Sequence, residues 1–217
     1  MPPLPPTTTP WSTFYPACLS QLPGVPLAML DHWLRYISID FCDRTKTWIV
    51  DLPAIDTVLG QMPYAITPAS GQVLVDLRSV FYQGASLVPK SPLFLEEKYG
   101  DWMAETGNPQ FYTQQSSDDV QVVPAPTAAV PGALKLKISV RPADDATGLD
   151  NWIYVGWNKQ IVAGVKGNLM VMDKKPWTNP QLGSGYLKQY EDAILAATSS
   201  ASRGQVRSMP RSKPVFA

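Results

Sequence analysis

The stretch PLAMLDHWLRYISIDFCDR, from Pro26 to Arg44, constrains this chain more than any other. Leu27, Leu30, Trp33, Leu34, Ile37 and Phe41 recur at i, i+3, i+4 and i+7, which places them on one face of a helix. Pro26 suits a first helical turn, where its missing N–H costs nothing. Asp31, Arg35, Asp40 and Asp43 fall mostly on the other side. A helix with so apolar a face needs partners, and the sequence offers two near the other end of the chain.

From Gly148 onward, Leu149, Trp152, Ile153, Trp157, Ile161, Val165, Leu169 and Met172 form a long helical stripe. Gly156, Gly164 and Gly167 weaken that helix and leave room for close helix contact. The turn KKPWTNP follows, and Leu182, Tyr186, Tyr190, Ala193, Ile194 and Ala197 mark another helix that ends near Ser200 to Gly204. The helices from the two ends are expected to share a core of Leu30, Trp33, Leu34, Ile37, Phe41, Trp152, Ile153, Ile161, Tyr190 and Ile194. With full burial, Trp33→Ala and Trp152→Ala should each cost about 3–5 kcal/mol.

The middle of the chain reads differently. Trp48, Val50 and Leu52 alternate before Pro53, and Val73, Val75 and Leu77 alternate within Gln72–Tyr82. Ser91-Pro92 is expected to start a short helix running through Leu95, Lys98 and Trp102. The cluster Ser116 to Asp119 reads as a hairpin turn between Phe111–Gln115 and Val120–Val123. Leu134, Leu136, Ile138 and Val140 alternate strictly with Lys135, Lys137, Ser139 and Arg141, the clearest strand in the chain. These strands suit a half-buried antiparallel sheet.

The expected fold class is therefore α+β, a helical base built from N-terminal and C-terminal helices, with a β-rich insertion and an extended C-terminal tail. The divisions are a proline-rich extended arm over 1–25, the first helix over 26–44, the insertion over 45–147, the C-terminal helices over 148–203 and an extended basic tail over 204–217. Met1 to Pro10 is rich in proline and threonine and should be extended or disordered. Trp11, Phe14, Tyr15 and Leu19 then cap the first helix's core, a reading preferred over a docking arm for a neighbour.

The chain has 217 residues, 45% of them hydrophobic and only 17% charged, and its formal net charge is zero. Bulk attraction to nucleic acid or to an anionic membrane is not expected from that balance. Cys18 and Cys42 make no disulfide framework and read as free, partly buried thiols in a reducing compartment. The N-terminus lacks the charged and apolar regions of a signal peptide, and no apolar run is long enough to span a membrane.

The search for chemistry runs nearly empty. The single histidine, His32, sits between Asp31 and Trp33 and reads as a surface or interface residue. There is no zinc-type Cys/His spacing, phosphate loop or nucleophile elbow. Asp118-Asp119 and Asp144-Asp145 are explained by turns, and Glu96-Glu97 by a helix N-terminus. No catalytic residue, metal ligand or cofactor site is expected. The tail carries Arg207, Arg211 and Lys213. These could meet DNA phosphates, or the tail could be an arm that orders on a protein partner. Val215 and Phe216 favour the second reading, because phosphate binding has no use for apolar anchors. Seven tryptophans and nine tyrosines exceed what a small helical core needs, so some should face other subunits.

The phrases WSTFYP, LPGVP, LDHWLRYISIDFCDRTKTW, GNPQFYTQ, LKISVRPADDATGL, KPWTNPQLGSGYLKQYEDAI and RGQVRSMPRSKPV stand in this order. Together they resemble the head-to-tail adaptor proteins of short-tailed bacteriophages and related prophages (tail tubular protein A-like). The resemblance runs from about Trp11 to the tail and leaves the proline-rich N-terminus unmatched. It implies a virion structural protein in the neck, assembled in the host cytoplasm and without catalysis. It implies a homo-oligomeric ring, usually dodecameric, between the portal protein and the tail nozzle protein, with viral DNA passing through the lumen during packaging and ejection. By the same resemblance the tail binds the portal through Gly204, Val206, Arg207, Met209, Arg211, Lys213, Val215 and Phe216, and the β-rich insertion is an arm that meets a neighbour or the nozzle. Another neck or tail-tube component, a nozzle or head-completion protein, is the alternative. An enzyme or DNA-binding module using the basic tail is a more distant one.

Overall fold

The computed structural model describes residues 8–203. In chain order it contains β1 (Thr8–Pro10), a 3-10 turn (Trp11–Phe14), α1 (Tyr15–Leu19), α2 (Leu27–Thr45), β2 (Ile49–Asp51), β3 (Pro63–Ala65) and β4 (Gln72–Tyr82). Then come β5 (Ala85–Ser86), β6 (Val88–Pro89), α3 (Pro92–Tyr99), β7 (Thr106–Gly107), β8 (Phe111–Thr113) and β9 (Asp119–Val123). The chain continues through β10 (Ala125–Pro126), β11 (Leu134–Pro142), β12 (Gly148–Asp150), α4 (Asn151–Met170) and α5 (Pro180–Arg203). Helix and strand are both substantial, and the fold class is α+β. The chain forms two compact units. One joins the described residues up to Trp48 to those from Arg141 onward, and the other is Ile49–Val140.

In the first unit α2, α4 and α5 pack on one another. The apolar stripe of α2 is the reason: Leu30, Leu34, Ile37 and Phe41 are all buried. Pro26 stands just before the helix in extended backbone, and its carbonyl accepts from the N–H groups of Met29 and Leu30. At the other end Lys46 takes a left-handed conformation (φ 52°), and its N–H closes on the Cys42 carbonyl at 2.8 Å. Glycines set the separation of α4 from its neighbours. A Cβ at Gly164 would lie 2.8 Å from Ile37 Cγ2 of α2 and 2.9 Å from Tyr190 Cδ2 of α5. A Cβ at Gly167 would lie 2.8 Å from Leu187 Cγ and 3.0 Å from its backbone nitrogen. Gly156, by contrast, has open space around it.

The helix expected from Gly148 starts later. Gly148–Asp150 is a strand paired antiparallel with Thr8–Pro10, in the register Thr9 to Leu149. A Cβ on Gly148 would sit 2.3 Å from the Thr9 carbonyl oxygen, so only glycine allows this pairing. Asp150 then caps α4, its carboxylate accepting from Trp152 N–H at 2.8 Å. Trp11 and Phe14 are buried: the Trp11 indole donates to the Ala146 carbonyl at 2.9 Å, and Phe14 meets Tyr154 edge-on at 5.0 Å.

The second unit holds two four-stranded sheets, ordered β2-β11-β4-β5 and β3-β9-β8-β6, and a small β7–β10 pair. Strand β11 pairs antiparallel with β2, Ile138 opposite Val50. Leu134, Leu136, Ile138 and Val140 are buried as their alternation requires, but Ser139, expected on a polar outer face, is fully buried too. The β8–β9 hairpin sets Tyr112 opposite Val122. Ser91 caps α3 by accepting from Phe94 N–H at 3.3 Å. That helix ends at Tyr99, three residues short of expectation, and Trp102 beyond it still packs in a core with Met62, Leu95, Val123 and Ala125.

The glycine geometry gives a paired test. Gly164→Ala should lower the stability of the folded chain by about 1–3 kcal/mol through overpacking. Gly156→Ala, with open space around it, should raise stability by about 0.5–1 kcal/mol. Urea titrations followed by circular dichroism check both; equal effects would mean that the helices do not approach at Gly164.

Candidate functional site: the helix junction and its exposed faces

Leu30, Leu34, Ile37, Phe41, Ile153, Ile161, Tyr190 and Ile194 are buried. Phe41 links all three helices, its ring centre 5.5 Å from that of Trp157 and 6.4 Å from that of Tyr190. Two tryptophans depart from expectation. Trp152 is 48% exposed and does not belong to the core. It stands in the first turn of α4, where its neighbour Ile153 is the residue that faces inward. Trp33 is half-buried, in edge contacts with His32 and Tyr36 at 6.1 and 5.6 Å.

A polar chain crosses from α2 to α5. The buried Tyr190 hydroxyl donates its one proton toward Asp40 Oδ2 at 2.8 Å, with the Ile37 carbonyl also within reach at 3.1 Å. Burial, then the nearby Asp40 charge, pushes its pKa well above the ordinary tyrosine value. Arg44 donates to both carboxylate oxygens of Glu191, at 2.8 and 2.5 Å, and lies 3.5 Å from Asp40. That bidentate hydrogen bond holds the Glu191 carboxyl below its usual range. Arg141 bridges Asp43 at 3.5 Å and Asp144 at 3.4 Å. Near the N-terminus Tyr15 donates to Asp31 Oδ1 at 2.6 Å, and this hydrogen bond is the main cause that pushes the phenol up to about 12. Apart from the local pairs Asp40–Arg44 and Arg141–Asp144, these contacts join residues on different elements, so periodicity does not show them.

The pairs singled out for chemistry take structural places. Asp118 lies in a turn, its N–H donating to Ser116 Oγ at 3.0 Å and its carboxylate accepting from Ser117 Oγ at 2.9 Å. Asp144 answers Arg141. His32 is exposed. Among the described residues no group of three or more His, Cys, Asp or Glu is gathered to hold a metal ion. Cys18 and Cys42 are free and buried, and burial pushes the Cys18 thiol up to about 11 and that of Cys42 higher still. No described helix is long and apolar enough to cross a membrane.

The unit also exposes apolar side chains. On α4, Trp152 and Val155 stand exposed at i and i+3, with 69% of Val155 accessible. Tyr36 and Leu27 of α2 and Leu182 and Leu195 of α5 are exposed as well. Single exposed hydrophobes are ordinary, but a tryptophan beside a valine on one helix stripe is the composition of a protein contact. The tail residues Gly204, Val206, Arg207, Met209, Arg211, Lys213, Val215 and Phe216 lie outside the described residues, as do residues 1–7.

An α+β chain whose described titratable groups cap, bridge and pack, and which exposes aromatic side chains on its helices, offers surface for contact with other proteins. Its sequence matches the family model described as SU10 adaptor protein over residues 17–213, and the chain belongs to that family. The match agrees with the resemblance to phage head-to-tail adaptors and gives the chain a phage structural role. It includes the tail as far as Lys213 and leaves out the proline-rich start. No curated protein matches the chain.

Two substitutions test the junction. Tyr190→Phe should cost about 1–2 kcal/mol at pH 7 through its lost hydrogen bonds. The raised folded pKa means that this stabilisation is full below the unfolded tyrosine value of about 10 and is lost as pH rises beyond it. The gap between wild type and Tyr190→Phe should therefore narrow in alkaline urea titrations. Trp152→Ala should cost under about 1 kcal/mol, since a half-exposed side chain leaves no closed cavity.

Proposed function

We propose that the chain is a head-to-tail adaptor that forms a ring, usually of twelve copies, joining the portal protein to the tail nozzle and letting viral DNA pass during packaging and ejection. The observation that carries this reading is the family match, which runs unbroken from Ala17 through most of the basic tail. In this reading residues 26–44 and 148–203 form a helical base directed toward the portal, and 45–147 is an arm that meets a neighbouring copy or the nozzle. Residues 204–217 form the portal-binding tail, with Arg207, Arg211 and Lys213 as its charges and Val215 and Phe216 as its apolar anchors. Exposed Trp152, Val155 and Tyr36 support contact with other subunits, because aromatic side chains are enriched where proteins meet. Zero net charge suits a channel through which a polyanion slides without being held. The protein acts mechanically, without catalysis or cofactor, assembling in the host cytoplasm and residing in the virion neck.

Ordering a tail on a partner costs conformational entropy, and a ring offsets it by repeating the contact around one axis. Mass photometry of the purified chain, alone and with the portal protein from the same genome, tests this. The expected result is a complex whose stoichiometry matches the portal ring, lost when the chain is cut after Arg203. A monomer that ignores the portal under all conditions would overturn the portal-side reading and favour a nozzle or head-completion component.

A further inference from the structure

The first turn of α4 leaves an apolar ledge uncovered. Trp152 and Val155 stand at i and i+3 on one helix face, 48% and 69% exposed. The Trp152 backbone N–H is taken by the Asp150 cap at 2.8 Å, and its indole N–H has no acceptor among the described residues.

Strand β1 leads to this ledge. Thr8 pairs with Asp150, the residue just before α4. Thr9 Oγ1 donates to Oδ1 of Asn151, the first residue of α4, at 3.2 Å. Continued upstream of Thr8, the same antiparallel register passes Asn151 and reaches the level of Trp152. The ladder cannot go on there, because Pro6 and Pro5 have no N–H to donate. The segment that leaves it is PPLPP, Pro2–Pro6. Its composition favours polyproline II, whose carbonyls have no internal partner. Five residues in that conformation span about 15 Å. Trp152 and Val155 are only about 4.5 Å apart along a helix axis, so the segment is long enough to cover both.

We propose that Pro2–Pro6 of the same chain lies along Trp152 and Val155 in the unassembled protein, its prolines against the indole and one of its carbonyls accepting from the indole N–H. A strip already held in polyproline II gives up little entropy on docking, which is why aromatic faces suit proline-rich segments. Leu4, between two proline pairs, adds an apolar side chain for Val155 to cover. The basic tail suits the ledge less. None of Asn151, Trp152, Val155 and Gly156 is acidic, so Arg207, Arg211 and Lys213 would find no opposite charge there. The segment also precedes the family match, which starts at Ala17. A neighbouring subunit that uses this face displaces the segment. The inference needs neither ring nor portal, so it and the assembly reading fail separately.

The test uses the full chain alone, with a benzophenone photocross-linker in place of Leu4. The expected product has the mass of one chain under denaturing conditions, and its cross-link falls in the peptide that holds Trp152 and Val155. Its yield should drop at least fivefold in Trp152→Ala. Because a benzophenone can seek apolar surface by itself, hydroxyl-radical oxidation of Trp152 in the unlabelled chain is the second readout. That rate should rise at least twofold when Pro2, Pro3, Pro5 and Pro6 are all replaced by serine. A cross-link to this peptide at the mass of two chains gives the ledge to a second copy and overturns the proposal. Cross-links that miss this peptide, an undiminished yield in Trp152→Ala, or an oxidation rate that the serine variant leaves unchanged overturn it as well.

Discussion

The helical unit depends on a place where α4 has no side chain. At Gly164 the methyl of Ile37 and the ring edge of Tyr190 occupy the space a Cβ would fill, so α2 and α5 both reach the backbone of α4. Glycine inside a helix costs about 1 kcal/mol against alanine, and α4 carries three. Those at 164 and 167 recover that cost by close packing. The approach also decides the polar contacts. Only with the Tyr190 ring against Gly164 does its hydroxyl meet Asp40 and the Ile37 carbonyl. Arg44, one helical turn beyond Asp40, then spans to Glu191, the residue after Tyr190.

Helical periodicity located α2, α4 and α5 because each buries a stripe, and a stripe is a local property of sequence. The glycines of α4 announced close contact for the same reason, though spacing alone did not distinguish Gly156 from Gly164 and Gly167. Trp152 was misread because an apolar stripe counted from Gly148 starts inside a strand. The pairing of Gly148–Asp150 with Thr8–Pro10 spans most of the chain, and nothing local to either segment specifies it. The capping aspartate was the available signal: Asp150 before Asn151 and Trp152 marks a helix start there and moves the tryptophan to the first turn.

In the β-rich unit alternation identified β2, β4 and β11 as strands but not that they lie side by side. A period of two states which side chains share a face and leaves the strand order open. Its partners β2 and β4 come from far earlier in the chain, and parallel pairs such as Val88–Pro89 with Phe111–Tyr112 are too short to show as a pattern. The burial of Ser139 on the supposedly polar face means that the middle of β11 is covered on both sides, which a serine conceals. The burial of Lys166 was hidden in another way. A helical window that counts apolar residues passes over one charge among Val162, Ala163, Val165 and Gly167.

The exposed side chains complete the physical picture. Trp152 and Val155 contribute nothing to the core of their own unit, and an exposed tryptophan carries a hydrophobic liability in water. Zero net charge removes the repulsion that would keep copies of this chain apart. A monomer built to remain solitary would gain from charge on such a helix face. A family of adaptor proteins has the opposite requirement, since surface left uncovered in one chain is what another protein can bury. Separate groups of residues therefore serve the two tasks: glycines and buried aromatics hold the helices together, and exposed Tyr36 and Trp152, each one residue before a buried isoleucine, remain available for contact.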